Sequence, residues 1–268
     1  MLPVICPLCR LPLSTEPRRW FCERGHSFDV AREGYVNLLP VQHKHSRAPG
    51  DAPEMVRARR DFLAAGHYQG LREALLALVA AQRPGRLLDI GCGEGYYTGA
   101  LVTAAGGTIG VDIARPAIQI AARRHPGLTW LVASGALLPV ADGSIHLVTS
   151  LFSQLHVEEM HRVLAPDGAA LVVTPSADHL WTLREGLFET VSPHAPDKFL
   201  AGLESRFALR DRGEVRLPLQ LDAPALQQLL TMTPYAWKAV PERRAAVAAR
   251  QQLATTAAFT WFRFARKS

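Results

Sequence analysis

Two groups of residues in this 268-residue chain have types and spacings that could do chemistry. The first is Cys6, Cys9, Cys22 and His26, arranged C-x2-C-x12-C-x3-H. Three thiolates and one imidazole on two tight knuckles suit a single tetrahedral zinc ion. Because the protein fills all four positions, the pattern predicts a structural ion rather than a catalytic one. So short a segment cannot bury enough apolar surface to fold alone, and ligation would supply the missing stability. Gly25 eases the second knuckle. Cys92 is remote from the knuckles in sequence and is not counted as a ligand.

The second group is Leu87-Leu88-Asp89-Ile90-Gly91-Cys92-Gly93-Glu94-Gly95. Apolar residues around one acid predict a buried strand that runs into a glycine turn. Without Cβ atoms, Gly91, Gly93 and Gly95 let the backbone turn tightly and lie flat against a cofactor. The helix predicted from Tyr96 points its N-terminus at the same place. Asp112 closes the run Thr-Ile-Gly-Val-Asp, where the next parallel strand would end, and an acid there suits a ribose hydroxyl pair. Dinucleotide enzymes space these glycines G-x-G-x-x-G. Here the third glycine comes one residue early, and Asp89 stands two before the first. Asp89, Gly91, Gly93, Glu94 and Asp112 are therefore candidate cofactor residues for a nucleotide other than NAD.

The elements that must position these groups follow from pattern. Strands are expected at 87–90, 108–111, 128–132, 145–151 and 169–174, with helices at 96–105, 114–124 and 156–164. That order gives a doubly wound, Rossmann-like α/β sheet. Residues 207–221 read as a hairpin around Asp211-Arg212-Gly213. The alanine-rich stretch 244–258 reads as a helix, and Phe259, Trp261 and Phe262 as part of a late strand. A helix begins at Glu54, with Met55, Ala58, Phe62 and Ala65 at helical spacing. Three units result: a zinc-binding module over residues 1–40, a basic linker and helix over 41–75, and a catalytic domain over 76–268. The polar run His43–Arg47 fits either a solvated face or a phosphate contact.

A net charge of +6 permits a polyanionic partner. The N-terminus lacks the charged region and apolar core of a signal peptide, and no run is long enough to cross a membrane. Four cysteines do not suggest a disulfide scaffold. A cytoplasmic protein without membrane partners is expected.

The zinc knuckle, Gly-His-Ser-Phe-Asp, Glu-Gly-Tyr-Val-Asn-Leu-Leu-Pro, Ala-Gly-His67-Tyr68 and Leu-Asp-Ile-Gly-Cys-Gly-Glu-Gly-Tyr-Tyr together resemble the large-subunit rRNA guanine-N1 methyltransferases. The resemblance is dense over residues 5–112 and thinner out to Met232-Thr-Pro-Tyr-Ala-Trp237. It implies a class I S-adenosylmethionine-dependent methyltransferase fold behind a zinc module, a hairpin of 23S rRNA as partner, and a homodimer. It implies zinc ligation by Cys6, Cys9, Cys22 and His26. It also implies that Tyr68, Gly93, Glu94 and the His179-Leu180 region surround the cofactor. The linker is more similar to the housekeeping branch than to the macrolide-resistance branch. One departure stands out: where the family tends to place an aromatic-Ala-Pro segment near the target base, this chain has Phe152-Ser153-Gln154. The aromatic is kept and the proline is absent.

Guanine N1 lies on the Watson–Crick edge and carries a proton, so the base must be unpaired and the proton must leave. Asp178 and His179 follow the fifth strand at the sheet's carboxyl edge and are candidates to accept it; no catalytic residue is assigned. Other readings remain: an NAD oxidoreductase, disfavoured by the glycine spacing, a zinc-dependent RNA-binding relative without methyl transfer, and a small-molecule methyltransferase.

Overall fold

In the computed structural model, which describes residues 3–40, 42 and 49–267, the chain opens with three short antiparallel strands. These are β1 (Ser14–Thr15), β2 (Arg19–Phe21) and β3 (Ser27–Asp29), followed by β4 (Val36–Asn37). Two helices come next, α1 (Pro53–Ala64) and α2 (Gln69–Gln82). The wound part runs β5 (Leu87–Ile90), α3 (Thr98–Leu101), β6 (Thr108–Asp112), α4 (Arg115–Arg124), β7 (Thr129–Val132), β8 (Ile145–Leu151), α5 (Val157–Val163) and β9 (Leu164–Pro175). After α6 (Trp181–Leu187) and α7 (Leu200–Leu203) comes β10 (Phe207–Asp222). Then follow α8 (Ala223–Met232), α9 (Pro234–Lys238), α10 (Pro241–Ala248) and β11 (Gln252–Arg266). The polar run His43–Arg47 lies outside the described residues.

Eight strands form one sheet in the order β10-β11-β9-β8-β5-β6-β7-β4. β4, β7, β6, β5, β8 and β9 are parallel, while β11 runs antiparallel to both β9 and β10. Alternation along the strands feeds two cores. Leu87, Leu147, Leu171 and Phe259 face the α2, α6 and α8 side, while Leu88, Val148, Val172 and Phe262 face the other. That second core also takes Val4, Cys6, Leu13 and Cys22. The zinc segment thus completes its packing against the sheet, and β4 extends the sheet in parallel with Val36 opposite Leu131. This is how so small a segment with strands of two or three residues is held.

Local chemistry sets several element starts. Pro53 and Pro224 sit in the first turns of α1 and α8, where a missing N–H costs nothing. Asp222 caps α8 by accepting from the Ala225 N–H at 2.9 Å. Among the described residues no helix is long and apolar enough to cross a membrane.

The doubly wound order appears as expected, with two corrections outside the wound part. Residues 207–222 are one continuous strand, not a hairpin, paired with β11 along its length through a bulge between Leu209 and Asp211. Gly213 does not turn the chain: a Cβ there would lie 2.6 Å from the Trp261 indole, so the glycine makes room for that ring. The alanine-rich stretch is helical only to Ala248. From Gln252 it is β11, with Ala257 and Ala258 fully buried between flanking strands. Sheet pairing and burial outweigh alanine's helix propensity there. The first wound helix is also shorter than expected, Thr98–Leu101 followed by a 3-10 turn over Val102–Ala104.

Candidate cofactor and metal sites

Strand β5 delivers the chain into the glycine loop, where Gly91, Gly93 and Gly95 have φ of +74°, +56° and +80°. Only glycine adopts such angles without strain. The N–H groups of Gly91 and Cys92 donate to the Val111 carbonyl at 2.8 and 3.1 Å, tying the loop to the end of β6. Asp112 ends that strand. Its Oδ2 accepts from the Gly93 N–H at 2.9 Å and its Oδ1 from the Ala114 N–H at 2.7 Å. The carboxylate is thereby fixed at the mouth of the loop.

Asp89 is placed differently. It is 1% exposed, and its two oxygens accept from the Thr98 hydroxyl at 2.5 Å and the Thr149 hydroxyl at 2.7 Å. Burial pushes its carboxyl up to about 6 against the pull of those two hydroxyls. It joins β5, α3 and β8 beneath the loop. Glu94 is also buried. Its Oε2 accepts from Arg59 Nε at 2.9 Å, and Arg59 donates a second bond to Asp51 at 2.5 Å. The guanidinium faces Gly93, whose absent Cβ would lie 3.5 Å from it. Arg59 and Asp51 were not singled out from sequence. The Arg59 contact with Glu94 spans 35 residues and leaves no local pattern.

Tyr68 and His179 meet across an aromatic wall. Phe259 of β11 lies 5.0 Å from Tyr68, 5.2 Å from Phe152 and 4.8 Å from His179 between ring centroids. Tyr97, in the turn after the glycines, is 6.5 Å from Phe152, and its hydroxyl is buried with no partner. Phe152 keeps 44% of its surface exposed and has φ of +59°, a strained angle held at the end of β8. The next residue, Ser153, donates to the Ile90 carbonyl at 2.8 Å.

Of the two proton-acceptor candidates, Asp178 is exposed and locked in a bidentate pair with Arg216, which holds its carboxyl low. His179 is 5% exposed. Its Nδ1 lies 2.9 Å from the Ala258 carbonyl, which can only accept, so Nδ1 carries the proton and Nε2 is bare. Burial pushes this imidazole down to about 4.

These buried groups give opposed pH dependences. His179 is lowered from 6.5, so its contribution is present above pH 6.5 and lost as pH falls toward 4; this amounts to about 3 kcal/mol. Asp89 is raised from 3.8, so the fold takes up its proton first and gains about 3 kcal/mol as pH falls from 6 to 3.8. In the parent the two nearly cancel. His179→Asn keeps a donor toward Ala258 and removes one slope. Measured by thermal unfolding at stepped pH, the variant should gain about 3 kcal/mol relative to the parent between pH 6.5 and 4. A constant difference across that range would refute the assignment.

At the other end of the molecule, Cys6, Cys9, Cys22 and His26 converge, with their ligand atoms all within 4.8 Å of one another. His26 Nδ1 lies 3.5 Å from Cys6 Sγ and 3.4 Å from Cys22 Sγ, and Cys9 Sγ lies 3.6 Å from Cys22 Sγ. Tetrahedral zinc requires N···S and S···S edges of about 3.6 and 3.8 Å. These three edges match that geometry, and the three thiols and one imidazole are a donor set that suits zinc. The cluster belongs to the amino edge of the sheet: Ile5 donates to the Pro139 carbonyl and Arg10 pairs with Asp142, both just before β8.

Comparison with known proteins gives two family matches. Residues 4–47 match a zinc-ribbon model described as RlmA, N-terminal, and residues 87–168 match a methyltransferase domain. A Streptomyces fradiae protein named 23S rRNA (guanine(748)-N(1))-methyltransferase is 35% identical, over 90% of this chain and 88% of its own. A Micromonospora griseorubida protein assigned the same reaction class in its name is 37% identical, over 94% and 93%. The YcgJ protein of Bacillus subtilis is similar in fold at 20% identity, with a TM-score of 0.52 over 72% of this chain and 98% of that one.

Proposed function

Because the chain belongs to the 23S rRNA (guanine-N1)-methyltransferase family, we propose that it methylates N1 of a guanine in a hairpin loop of 23S rRNA, with S-adenosylmethionine as donor. What carries this reading over metabolite methylation is the four-ligand cluster: it lies in the segment matching the family's N-terminal model and adds nothing to the cofactor edge.

The pinned Asp112 carboxylate, the positive-φ glycines and the unpartnered Tyr97 hydroxyl make a polar, close-approach cradle suited to adenosylmethionine. Bound there, the cofactor supplies a methyl group already activated on sulfonium sulfur. Asp112 holds the ribose hydroxyls. Gly91, Gly93 and Glu94 border the cofactor on the loop side, Tyr68 and His179 on the aromatic side, where a ring face favours a cation. Asp89 acts through the loop it anchors.

Phe152 offers its exposed ring to the guanine, which must leave any base pair to present N1. The rest is positioning: N1 in line with the methyl–sulfur bond. Methyl transfer to N1 would leave the bonding pair of the broken bond on sulfur, and the N1 proton would depart to solvent. His179, with so low a proton affinity, accepts a hydrogen bond at Nε2 rather than keeping that proton.

In this reading residues 1–40 recognise RNA, 41–75 connect and 76–268 transfer the methyl group. The protein works in the cytoplasm as a homodimer with one structural zinc per chain. The test is to incubate it with tritiated S-adenosylmethionine and unmodified 23S rRNA and map the label. N1-methylguanosine at one hairpin is expected. Cofactor binding without transfer would leave an RNA-binding relative or a different substrate.

A further inference from the structure

From the placement of α8–α10 we infer that Trp237 and the arginine-bearing groove beside it form a second RNA contact, which stacks a single-stranded base next to the target guanine. This rests on the rRNA reading above. β10 ends at Asp222 opposite Gln252, where β11 begins, and β11 runs past the end of β9, with Phe259 opposite Pro175. The three helices between those strands therefore stand at the carboxyl edge, the same edge as Asp112 and Phe152. α8 packs against α1, the helix whose Arg59 reaches Glu94. The zinc cluster is tied to the amino edge. Nucleotides flanking the target guanine therefore need a holder of their own at the carboxyl edge.

The groove has the chemistry for it. Trp237 keeps 52% of its surface exposed even with the Arg244 guanidinium 5.4 Å above its ring. Large aromatics are rarely left so open without a partner. A cleft of about 210 Å3 is lined by Trp237, Arg244, Gln227 and Thr231, with Glu54 of α1 at its side. It continues into one of about 510 Å3 that shares Gln227 and Arg244. Residues 234–250 carry four basic groups (Lys238, Arg243, Arg244, Arg250) against one acid, Glu242, so +3 of the chain's +6. An open indole beneath an arginine, on a segment of net positive charge, is an arrangement that binds single-stranded nucleic acid, with stacking for the base and charge for the phosphates. A second copy of the chain would find there an excess of like charge.

The test compares the full-length parent with Trp237→Ala and Trp237→Phe on an unmodified 23S rRNA transcript. Methyl transfer, filter retention of the RNA and calorimetric S-adenosylmethionine affinity are measured on each. Trp237→Ala should raise KM for the transcript, and its dissociation constant, about tenfold, with cofactor affinity unchanged. Trp237→Phe should recover most of the loss. Transcript binding by Trp237→Ala within twofold of the parent overturns the inference, as does an equal loss in both variants. Loss of a dimer at unchanged RNA affinity also overturns it and assigns the face to a second copy. A parent that transfers nothing to rRNA ends the substrate reading alone, since filter retention still decides whether Trp237 holds RNA.

Discussion

Cys22→Ser should release the zinc and unfold the first thirty residues while leaving the cofactor site intact. The structural reason is that little besides the ion holds this segment. β1, β2 and β3 have two, three and three residues, too few to persist as an isolated sheet. Cys6 and Cys22 are 0% and 3% exposed, so ligation by both would be lost inside a packed region where a bare thiolate has no charge partner. Zinc ligation contributes about 10–16 kcal/mol in small zinc modules, and part of that is the folding free energy here. The segment is not autonomous, however. Val4 and Leu13 pack with Leu138 and Val140 of the wound part, so its loss uncovers one face of the sheet and lowers the melting temperature of the whole chain. The cofactor edge is spared because Asp112, Gly93 and Glu94 draw their partners from residues 51, 59, 112 and 114. Metal analysis should give one zinc per parent chain and none in the variant. Amide exchange should accelerate over residues 6–28, and the S-adenosylmethionine dissociation constant should stay within about threefold, far from the tenfold that 1.4 kcal/mol would produce. A variant that keeps slow exchange over those residues without metal would show that packing, not zinc, holds them.

What could be read from the sequence was what local spacing encodes. The Cys3His cluster closes because two knuckles need only short turns, and the D-x-G-x-G-x-G run announces itself because only glycine tolerates the φ values at 91, 93 and 95. Strands buried on both faces, such as Leu87–Ile90 and Ile145–Leu151, appear as short apolar runs. The misses share one cause: partners far away in sequence. Gly213 has the composition of a turn, and only Trp261, 48 residues later, explains it as space for an indole. Ala257 and Ala258 favour a helix until two neighbouring strands claim their backbones. Val36-Asn37 gives no sign that it will join a parallel sheet whose next strand begins at Thr129. Asp89 is the instructive case within the site. Its position before the glycines marks it for the cofactor, yet it is 1% exposed, with the Thr98 and Thr149 hydroxyls on its two oxygens beneath the loop.

Gly91→Ala should weaken cofactor binding about a hundredfold, and the reason lies outside the glycine loop. A left-handed φ of +74° costs an alanine about 1–2 kcal/mol. The larger cost is steric: the new methyl would lie 2.4 Å from Ser153 Cβ and 2.8 Å from its Oγ. Ser153 cannot step aside, because its hydroxyl donates to the Ile90 carbonyl and lies 2.7 Å from the Ser150 hydroxyl. Something must move, and what is free to move is the loop whose amides are tied to Val111 and whose Gly93 N–H holds Asp112 in place. Overpacking of this kind costs about 1–3 kcal/mol. Added to the backbone strain, that is enough for a loss of about a hundredfold in affinity, since each 1.4 kcal/mol is a factor of ten. Gly93→Ala is the control for strain without a clash, because the nearest atom to its methyl is an Arg59 nitrogen at 3.5 Å. It should melt closer to the parent than Gly91→Ala does. Adding Ser153→Gly to Gly91→Ala removes the opposing Cβ, and calorimetry on the four-member cycle should return a coupling of at least about 1 kcal/mol in favour of the double variant. Additive losses would mean that the loop fails through φ alone. The chain's serine in place of the family's usual alanine at position 153 would then matter only for its hydrogen bonds.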